Sequence, residues 1–229
     1  MSVVVISCGR TGTNVALEIL RGNPKLNASL EPENKKLVKP IQKYPGNYLT
    51  KCDTIYFNSD QFSKLMDKNP DMKIIWTIRD PRDIVLSKIY RGQPFTDGRG
   101  NWTSADGTPE TSVSDIRSMV EKYNHALENY GDRILLIKLE DMIENTETVA
   151  KTMCDFIGVE YNDKMLDFPM RMRNKHKVKR YGRKIQTSQV GLWKNYKEIY
   201  DGFFGKQKYD IGVTFKEITD IVEFFNYDL

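Results

Sequence analysis

The sequence has only three cysteines and two histidines, and it has no apolar run long enough to span a membrane. Its three cysteines are widely spaced and odd in number, which fits a reducing compartment better than a disulfide framework, so we expect a cytoplasmic protein. Cysteines, histidines and acidic residues do not recur at metal-ligand spacing, and the two histidines lie outside the motifs described below. We therefore expect no metal requirement, no secretory leader and no catalytic histidine.

Composition limits the size of the fold and the kind of partner. The 229 residues are 39% hydrophobic, enough for a substantial core, and we expect one domain over residues 1–229. The 35 basic and 31 acidic residues leave a net charge of +4. That charge is too mild to indicate nucleic-acid binding, but it suits a multiply anionic ligand.

The segment Cys8–Asn14 has the composition of an anion-binding loop. It lies between the apolar run Val3–Ile6 and an amphipathic segment beginning at Val15, so it predicts a strand, a loop and a helix. Small residues let backbone N–H groups converge on an oxyanion at the positive end of the helix, and Arg10 adds a permanent charge. The loop lacks the glycine spacing and the lysine of a Walker motif, which disfavours an ordinary ATPase or kinase.

A second anion site is predicted where another strand ends. The apolar segment Lys73–Ile78 runs directly into Arg79, and Pro81 suits the first turn of a helix. Ser87 follows about two turns into that helix, so its hydroxyl and the Arg79 guanidinium can face one ligand group.

Predicted strands alternate with predicted helices along the chain, which indicates an α/β fold with a parallel central sheet flanked by helices. The predicted strands are near 3–7, 48–52, 73–78 and 134–138, and the predicted helices are near 13–22, 60–68, 82–90, 113–129 and 146–157. Ligands of such sheets bind at the carboxyl ends of the strands, where Arg10 and Arg79 both fall. Residues 92–112 form a turn-rich insertion, which we interpret as either an acceptor-side lid or a disordered segment.

Three segments together resemble the sulfotransferases that use 3′-phosphoadenosine 5′-phosphosulfate (PAPS). Cys8–Asn14 resembles their 5′-phosphosulfate loop, and Arg79 with Ser87 matches their 3′-phosphate pair in type and spacing. Residues 187–196 look like the Gly-x-Trp-Lys-Asn segment that closes over the 3′-phosphate. The resemblance implies the P-loop NTPase-like sulfotransferase fold, PAPS as donor and 3′-phosphoadenosine 5′-phosphate (PAP) as product.

The resemblance also assigns the nucleotide-binding residues. Those implied at the 5′-phosphosulfate are Arg10, Thr11, Gly12, Thr13 and Asn14, and those implied at the 3′-phosphate are Arg79, Ser87, Ser188, Gly191 and Lys194. Cytosolic members carry a basic pair just before the glycine, where this chain has Thr187 and Ser188. Arg183 and Lys184 lie slightly upstream, and the sequence leaves open which of these residues reaches the nucleotide.

The catalytic groups follow from the same resemblance. Lys51 looks like the lysine that contacts the bridging and transferred oxygens. Arg10 would help it to stabilise the charge that builds on the leaving phosphate. For the general base, Glu31 resembles the glutamate of several carbohydrate sulfotransferases, whereas Asp53 occupies the place of the histidine in cytosolic members. Glu33 remains a further candidate. Glu31 and Lys51 favour the carbohydrate branch, with a hydroxyl or amine of a carbohydrate or another small molecule as acceptor.

Two other functions stay open from the sequence. A nucleotide or small-molecule kinase requires Mg²⁺ and ATP, for which the chain offers no Walker lysine. A non-catalytic module would bind the bisphosphate or a sulfated glycan through residues 171–184, which carry eight basic side chains. The sequence does not indicate the oligomeric state.

Overall fold

The computed structural model describes residues 2–28, 48–54, 57–91, 108–170, 190–196 and 210–229. The chain divides into two compact units. The first contains Met1–Ile78 and Glu121–Thr187, and the second contains Arg79–Val120 and Ser188–Leu229.

The first unit contains a parallel β-sheet of five strands in the order β2-β3-β1-β4-β5. The strands are β1 Ser2–Ser7, β2 Asn27–Ala28, β3 Tyr48–Asp53, β4 Lys73–Ile78 and β5 Ile134–Lys138. Every pair of neighbours is parallel, and β1 lies between β3 and β4. The central strands β1 and β4 are buried along almost their whole length, which explains their continuous apolar sequence.

Helices follow the strands in sequence. They are α1 Thr13–Leu20, α2 Ser59–Lys68, α3 Pro81–Arg91, α4 Pro109–Tyr130, α5 Leu139–Glu144, α6 Thr146–Ile157, α7 Ile211–Glu217 and α8 Thr219–Phe224. Short 3₁₀ turns occupy Gly131–Arg133, Asp163–Asp167 and Leu192–Asn195. None of the helices in the described parts of the chain is both long and apolar enough to cross a membrane.

The sheet of the first unit is covered on both faces. On one face, α1, α5 and α6 pack against strand residues such as Val5 and Ile75 in a continuous apolar core. On the other face, the Trp76 ring makes edge contacts with Phe62 of α2 and Tyr123 of α4. Apolar cores on both faces require the three-layer α/β architecture that the sequence pattern predicts.

The second unit is helical where the structure describes it. α3 contacts the turn Leu192–Asn195 and α8, and α7 contacts α8. Apolar side chains of these elements are buried, including Ile84 of α3 and Ile221 of α8. An ion pair between Lys88 of α3 and Asp115 of α4, 2.6 Å from Nζ to Oδ2, links two of its helices.

The predicted α/β class and all nine predicted strands and helices are confirmed, with ends shifted by a few residues. The predicted insertion 92–112 is wrong at its C-terminal end, because residues 109–112 form the first turn of α4. Pro109 suits the first helical position, and the Thr108 hydroxyl accepts a hydrogen bond from the Thr111 N–H, which caps the helix. The other residues of the insertion, 92–107, lie outside the described residues.

Candidate functional site

The loop Cys8–Asn14 leaves the sheet where the order of its strands reverses. From β1 the chain continues to β2 and β3 on one side, and β4 and β5 lie on the other. In open α/β sheets, ligands bind at the carboxyl ends of the strands beside this switch point. The position of the loop therefore matches that of a ligand site.

Backbone conformation and close packing fix the shape of this loop. Arg10 and Gly12 have left-handed φ angles of 79° and 93°. A Cβ on Gly12 would lie 2.7 Å from Leu139 Cδ1 and 3.2 Å from Met142 Cε, so a larger residue fits only if these side chains of α5 move. Gly12 is also the N-cap of α1, whose first turn has no acidic side chain to offset its positive end.

Thr11 anchors the middle of the loop to the sheet. Its side chain is fully buried, and its hydroxyl donates to the Cys8 carbonyl oxygen at 3.0 Å. The same hydroxyl lies 3.1 Å from the Thr77 hydroxyl of β4. Thr11 therefore holds the loop against the sheet, and its side chain is buried away from solvent.

Lys51 meets the start of α1. It pairs with Val5 across β1 and β3, and its Nζ donates to Asn14 Oδ1 at 2.6 Å. Two of the predicted site residues, one on β3 and one in the first turn of α1, are therefore in direct contact. The ammonium group lies at the positive end of α1, an arrangement that favours an anion over a cation.

Asp53 lies next to the same loop. It is the last residue of β3 and pairs with Ser7 of β1, and its Oδ2 is 3.5 Å from the place a Cβ on Gly9 would occupy. The preceding Cys52 is buried, and burial together with the nearby Asp53 charge raises the pKa of its thiol to about 12. Cys52 is consequently a structural thiol and no nucleophile at neutral pH.

The predicted 3′-phosphate residue Arg79 belongs to an ion-pair group in the second unit. Its guanidinium NH2 lies 3.2 Å from Asp83 Oδ2, and both side chains are buried. The sequence brings them together because Asp83 lies in the first turn of α3, four residues after Arg79.

Asp83 also binds the backbone of a distant segment. Its two carboxylate oxygens accept hydrogen bonds from the Gly191 N–H at 2.8 Å and from the Trp193 N–H at 2.9 Å. Burial is the largest effect and raises the pKa of Asp83, while the Arg79 charge and the two backbone donors offset only part of the rise. All three of these neighbours are donors, which suits the carboxylate form of the side chain.

A second contact joins the same two segments. The Arg82 guanidinium lies 3.3 Å from the centre of the Trp193 ring, a close cation–π contact. Asp80 restrains the guanidinium through two hydrogen bonds, which it accepts from Nε at 3.0 Å and from NH2 at 2.8 Å. Because the Arg82 and Asp80 side chains are both buried, the guanidinium that contacts the Trp193 ring is held in place.

Two further predicted residues belong to these elements. Ser87 is half-buried on α3, one turn after Asp83, so the two side chains share a helix face. Lys194 is exposed on the turn Leu192–Asn195, and its N–H donates to the Gly191 carbonyl oxygen at 3.1 Å.

Several predicted site residues lie outside the described residues. They are the general-base candidates Glu31 and Glu33, the binding candidate Ser188 with Thr187, and the basic segment 171–184 with Arg183 and Lys184. Within the described ranges, no group of three or more His, Cys, Asp or Glu side chains is placed to hold a metal ion.

The contacts that Asp83 and Trp193 make were not predicted from the sequence. The opposite charges of Arg79 and Asp83 at helical spacing were a usable signal for their ion pair. Nothing in the sequence indicates that Asp83 binds backbone N–H groups 108 and 110 positions away.

Known structures share this fold. A mouse sulfotransferase complexed with PAP is 16% identical, with a TM-score of 0.61, over 94% of this chain and 88% of that one. The sulfotransferase domain of the Synechococcus PCC 7002 olefin synthase is 15% identical, with a TM-score of 0.65, over 100% and 96%. A retinol dehydratase in complex with retinol and PAP is 14% identical, with a TM-score of 0.55, over 100% and 82%.

Sequence comparison gives the family directly. No curated protein sequence matches the chain. The profile of the Sulfotransferase family matches residues 38–163, more than half of the chain, a range that includes Lys51, Arg79 and Ser87. The chain belongs to the sulfotransferase family.

Proposed function

We propose that this protein transfers a sulfuryl group from PAPS to a hydroxyl or amine, within a single sulfotransferase domain. The observation that carries the proposal is the contact between Lys51 and Asn14 at the anion-binding loop of a sulfotransferase-family chain. The mouse neighbour and the retinol dehydratase, which share the fold, are both complexed with PAP.

The residues of the loop fit a phosphosulfate. Gly9 and Gly12 keep side chains away from the backbone, and the first turn of α1 contains no acidic residue to offset its positive end. Lys51 and Arg10 supply the permanent charges. In this proposal, Arg10, Thr11, Gly12, Thr13 and Asn14 bind the 5′-phosphosulfate.

The second unit supplies groups that suit a 3′-phosphate. Arg79 offers a planar guanidinium with several donors, and Ser87 offers a hydroxyl on α3. Gly191 and Lys194 come from the turn that Asp83 ties to Arg79, and Ser188 precedes that turn in sequence. We assign the 3′-phosphate to these five residues.

The proposed chemistry needs a cation and a base. PAPS supplies an activated sulfuryl group, and the transfer forms an acceptor-to-sulfur bond as the bond from sulfur to the phosphate oxygen breaks. Lys51 and Arg10 stabilise the negative charge that develops on the departing phosphate, because a fixed cation needs no reorganisation at that moment. A carboxylate removes the acceptor's proton.

Glu31 and Asp53 are the two proposed bases. Glu31 rests on its resemblance to the glutamate of carbohydrate sulfotransferases. Asp53 has structural support, because its carboxylate lies next to Gly9 of the anion-binding loop. A Glu31→Gln and an Asp53→Asn variant separate them: loss of turnover with unchanged PAP affinity identifies the base.

We propose a small-molecule acceptor, with a carbohydrate as the preferred class. Retinol in the retinol dehydratase complex supports a small molecule bound to this fold. The carbohydrate preference rests on the Glu31 and Lys51 resemblance alone. We also propose a cytoplasmic location, since Cys8, Cys52 and Cys154 form no disulfide.

Thermal unfolding tests the proposal most directly. A ligand that binds only the folded protein raises the unfolding midpoint, so PAP should raise it and ATP with Mg²⁺ should not. The Arg79→Ala variant should lose most of the PAP shift. A shift with ATP and Mg²⁺ alone would favour a kinase, and no shift with either nucleotide would contradict nucleotide binding altogether.

A further inference from the structure

We propose that Asp83 is a positioning residue for the 3′-phosphate: it holds the Arg79 guanidinium and the Gly191 turn in one fixed arrangement. This inference rests on the proposed function, because it assumes that Arg79 and the Gly191 turn bind that phosphate. Asp83 carries the same sign of charge as a phosphate, so it acts through its neighbours and is itself no ligand.

Three donors from separate places converge on this carboxylate. Oδ2 accepts from the Gly191 N–H at 2.8 Å and lies 3.2 Å from Arg79 NH2, while Oδ1 accepts from the Trp193 N–H at 2.9 Å. The Asp83 side chain is fully buried. Hydrogen bonds to a buried charge are among the stronger ones in proteins, so the three groups are held together firmly.

The conformation of the turn suits this contact. Gly191 has a left-handed φ of 72° and precedes the 3₁₀ turn Leu192–Asn195. The Gly191 and Trp193 N–H groups both reach Asp83, as the first donors of a helix reach an N-cap side chain. Asp83 thus serves as an N-cap supplied from another helix, and it fixes where the backbone of Lys194 lies.

The contact between Arg82 and Trp193 supports the same arrangement. It joins Arg82, the residue before Asp83, to Trp193, whose N–H donates to Asp83, and Asp80 restrains the guanidinium through two hydrogen bonds. The turn is therefore attached to α3 at two adjacent points. Such double attachment orients the turn, where a single contact would leave it free to rotate.

The test is the Asp83→Asn variant, measured by calorimetric binding of PAP and of adenosine 5′-phosphate. Asparagine keeps the shape of the side chain but replaces one acceptor oxygen with an amide donor, which opposes Gly191 N–H or Arg79. Loss of hydrogen bonds to a charged group should lower PAP affinity by roughly tenfold or more. Affinity for adenosine 5′-phosphate, which has no 3′-phosphate, should change by less than about twofold.

Asp220→Asn is the matched control. Asp220 lies in the same unit and also binds an arginine, with Oδ2 2.9 Å from Arg117 NH1, but the pair is exposed. The same chemical change there should leave the preference for PAP over adenosine 5′-phosphate unaltered. A merely structural effect of losing an Asp–Arg pair would appear in both variants.

Gly191→Ala tests the proposal from the other partner. A Cβ at this position meets no atom within 4 Å, so the strain falls on its left-handed backbone. The preference for PAP should fall in this variant too, which keeps the test decisive if Asp83→Asn fails to fold. Unchanged preference in a folded Asp83→Asn variant, or tighter PAP binding, would overturn the inference.

The proposed function can fail separately from the inference. A wild-type protein that binds PAP no better than adenosine 5′-phosphate would contradict the assignment of a 3′-phosphate site. A wild-type preference for PAP that survives in a folded Asp83→Asn variant would contradict only the role of Asp83.

Discussion

The anion-binding loop of the first unit and the Arg79 group of the second unit are held in place by different forces. In the loop, conformation and steric contact dominate, since Gly12 has a left-handed backbone and lies against Leu139. In the Arg79 group, buried charges dominate, with Asp83 binding Arg79 and two backbone N–H groups.

This difference predicts how each region responds to change. A sterically fixed loop has no room for an added atom, because the neighbouring core is close-packed. A charge-fixed group tolerates added volume better, but it fails when a donor meets another donor or when a charge loses its partner. An added methyl group should therefore cost more stability in the loop than in the Arg79 group. A changed charge or hydrogen-bonding group should cost more in the Arg79 group.

The largest expected effect is that of Gly12→Ala, compared with Gly191→Ala. Both glycines have a positive φ, but only Gly12 has atoms within 4 Å of the added Cβ. Backbone strain plus overpacking should cost Gly12→Ala about 2–5 kcal/mol of unfolding free energy. Gly191→Ala should cost about 1–2 kcal/mol, from strain alone. Urea unfolding of both variants measures this, and equal costs would contradict the steric account.

Lys51→Met tests the charge at the anion-binding loop. Removing one electrostatic contact to developing charge should lower the rate of PAP formation from PAPS by about a hundredfold or more. The unfolding midpoint should change little, because the contact with Asn14 is exposed. Lys25→Met, which breaks an exposed ion pair with Glu160 in the same unit, is the control and should keep normal turnover.

Arg82→Lys, compared with Arg117→Lys, tests the charge network of the second unit. Both arginines make two hydrogen bonds to one aspartate, but Arg82 is buried and stacked on Trp193, whereas Arg117 is exposed. Lysine cannot reproduce the planar, two-pronged contact. Arg82→Lys should cost about 1–2 kcal/mol of stability, and Arg117→Lys at most about 0.5 kcal/mol. Similar losses of stability in the two variants would show that burying the Arg82 side chain contributes nothing to stability.

The smallest effect concerns Cys52, beside the anion-binding loop. Its pKa is raised from 9.0 to about 12 in the folded protein, so between these values the folded state binds the proton more tightly than the unfolded state. Stability from this group is therefore present below pH 9 and is lost as pH rises, by about 1–2 kcal/mol at pH 10. Cys52→Ala should show a shallower decline between pH 8 and 10, and an identical decline would contradict the assignment.

Local sequence patterns were sufficient to predict most of the fold. Buried parallel strands such as Val3–Ile6 are continuous apolar runs, and the helices have a clear amphipathic period. The short elements β2 and α5 were not predicted, because two to six residues carry too little periodicity. The C-terminal helices α7 and α8 were missed for the same reason.

The candidate site was predictable only where it depends on local spacing. Gly9 and Gly12 lead to the proposed anion-binding loop, and Arg79 with Ser87 lies within one strand-to-helix junction. By contrast, the attachment of Gly191 to Asp83 joins positions 108 residues apart through backbone N–H groups, which any sequence possesses. A contact to the backbone leaves no residue type on the partner to recognise, so only the structure reveals it.

The contact of Leu139 with Gly12 has a consequence for protein engineering. The anion-binding loop and α5 share a space too small for an added methyl group, so positions 12 and 139 behave as one steric unit. A library that varies residue 12 alone will recover mostly glycine. Varying both positions together, with smaller residues at 139, removes the steric part of this restriction and leaves the strain of the left-handed backbone at residue 12.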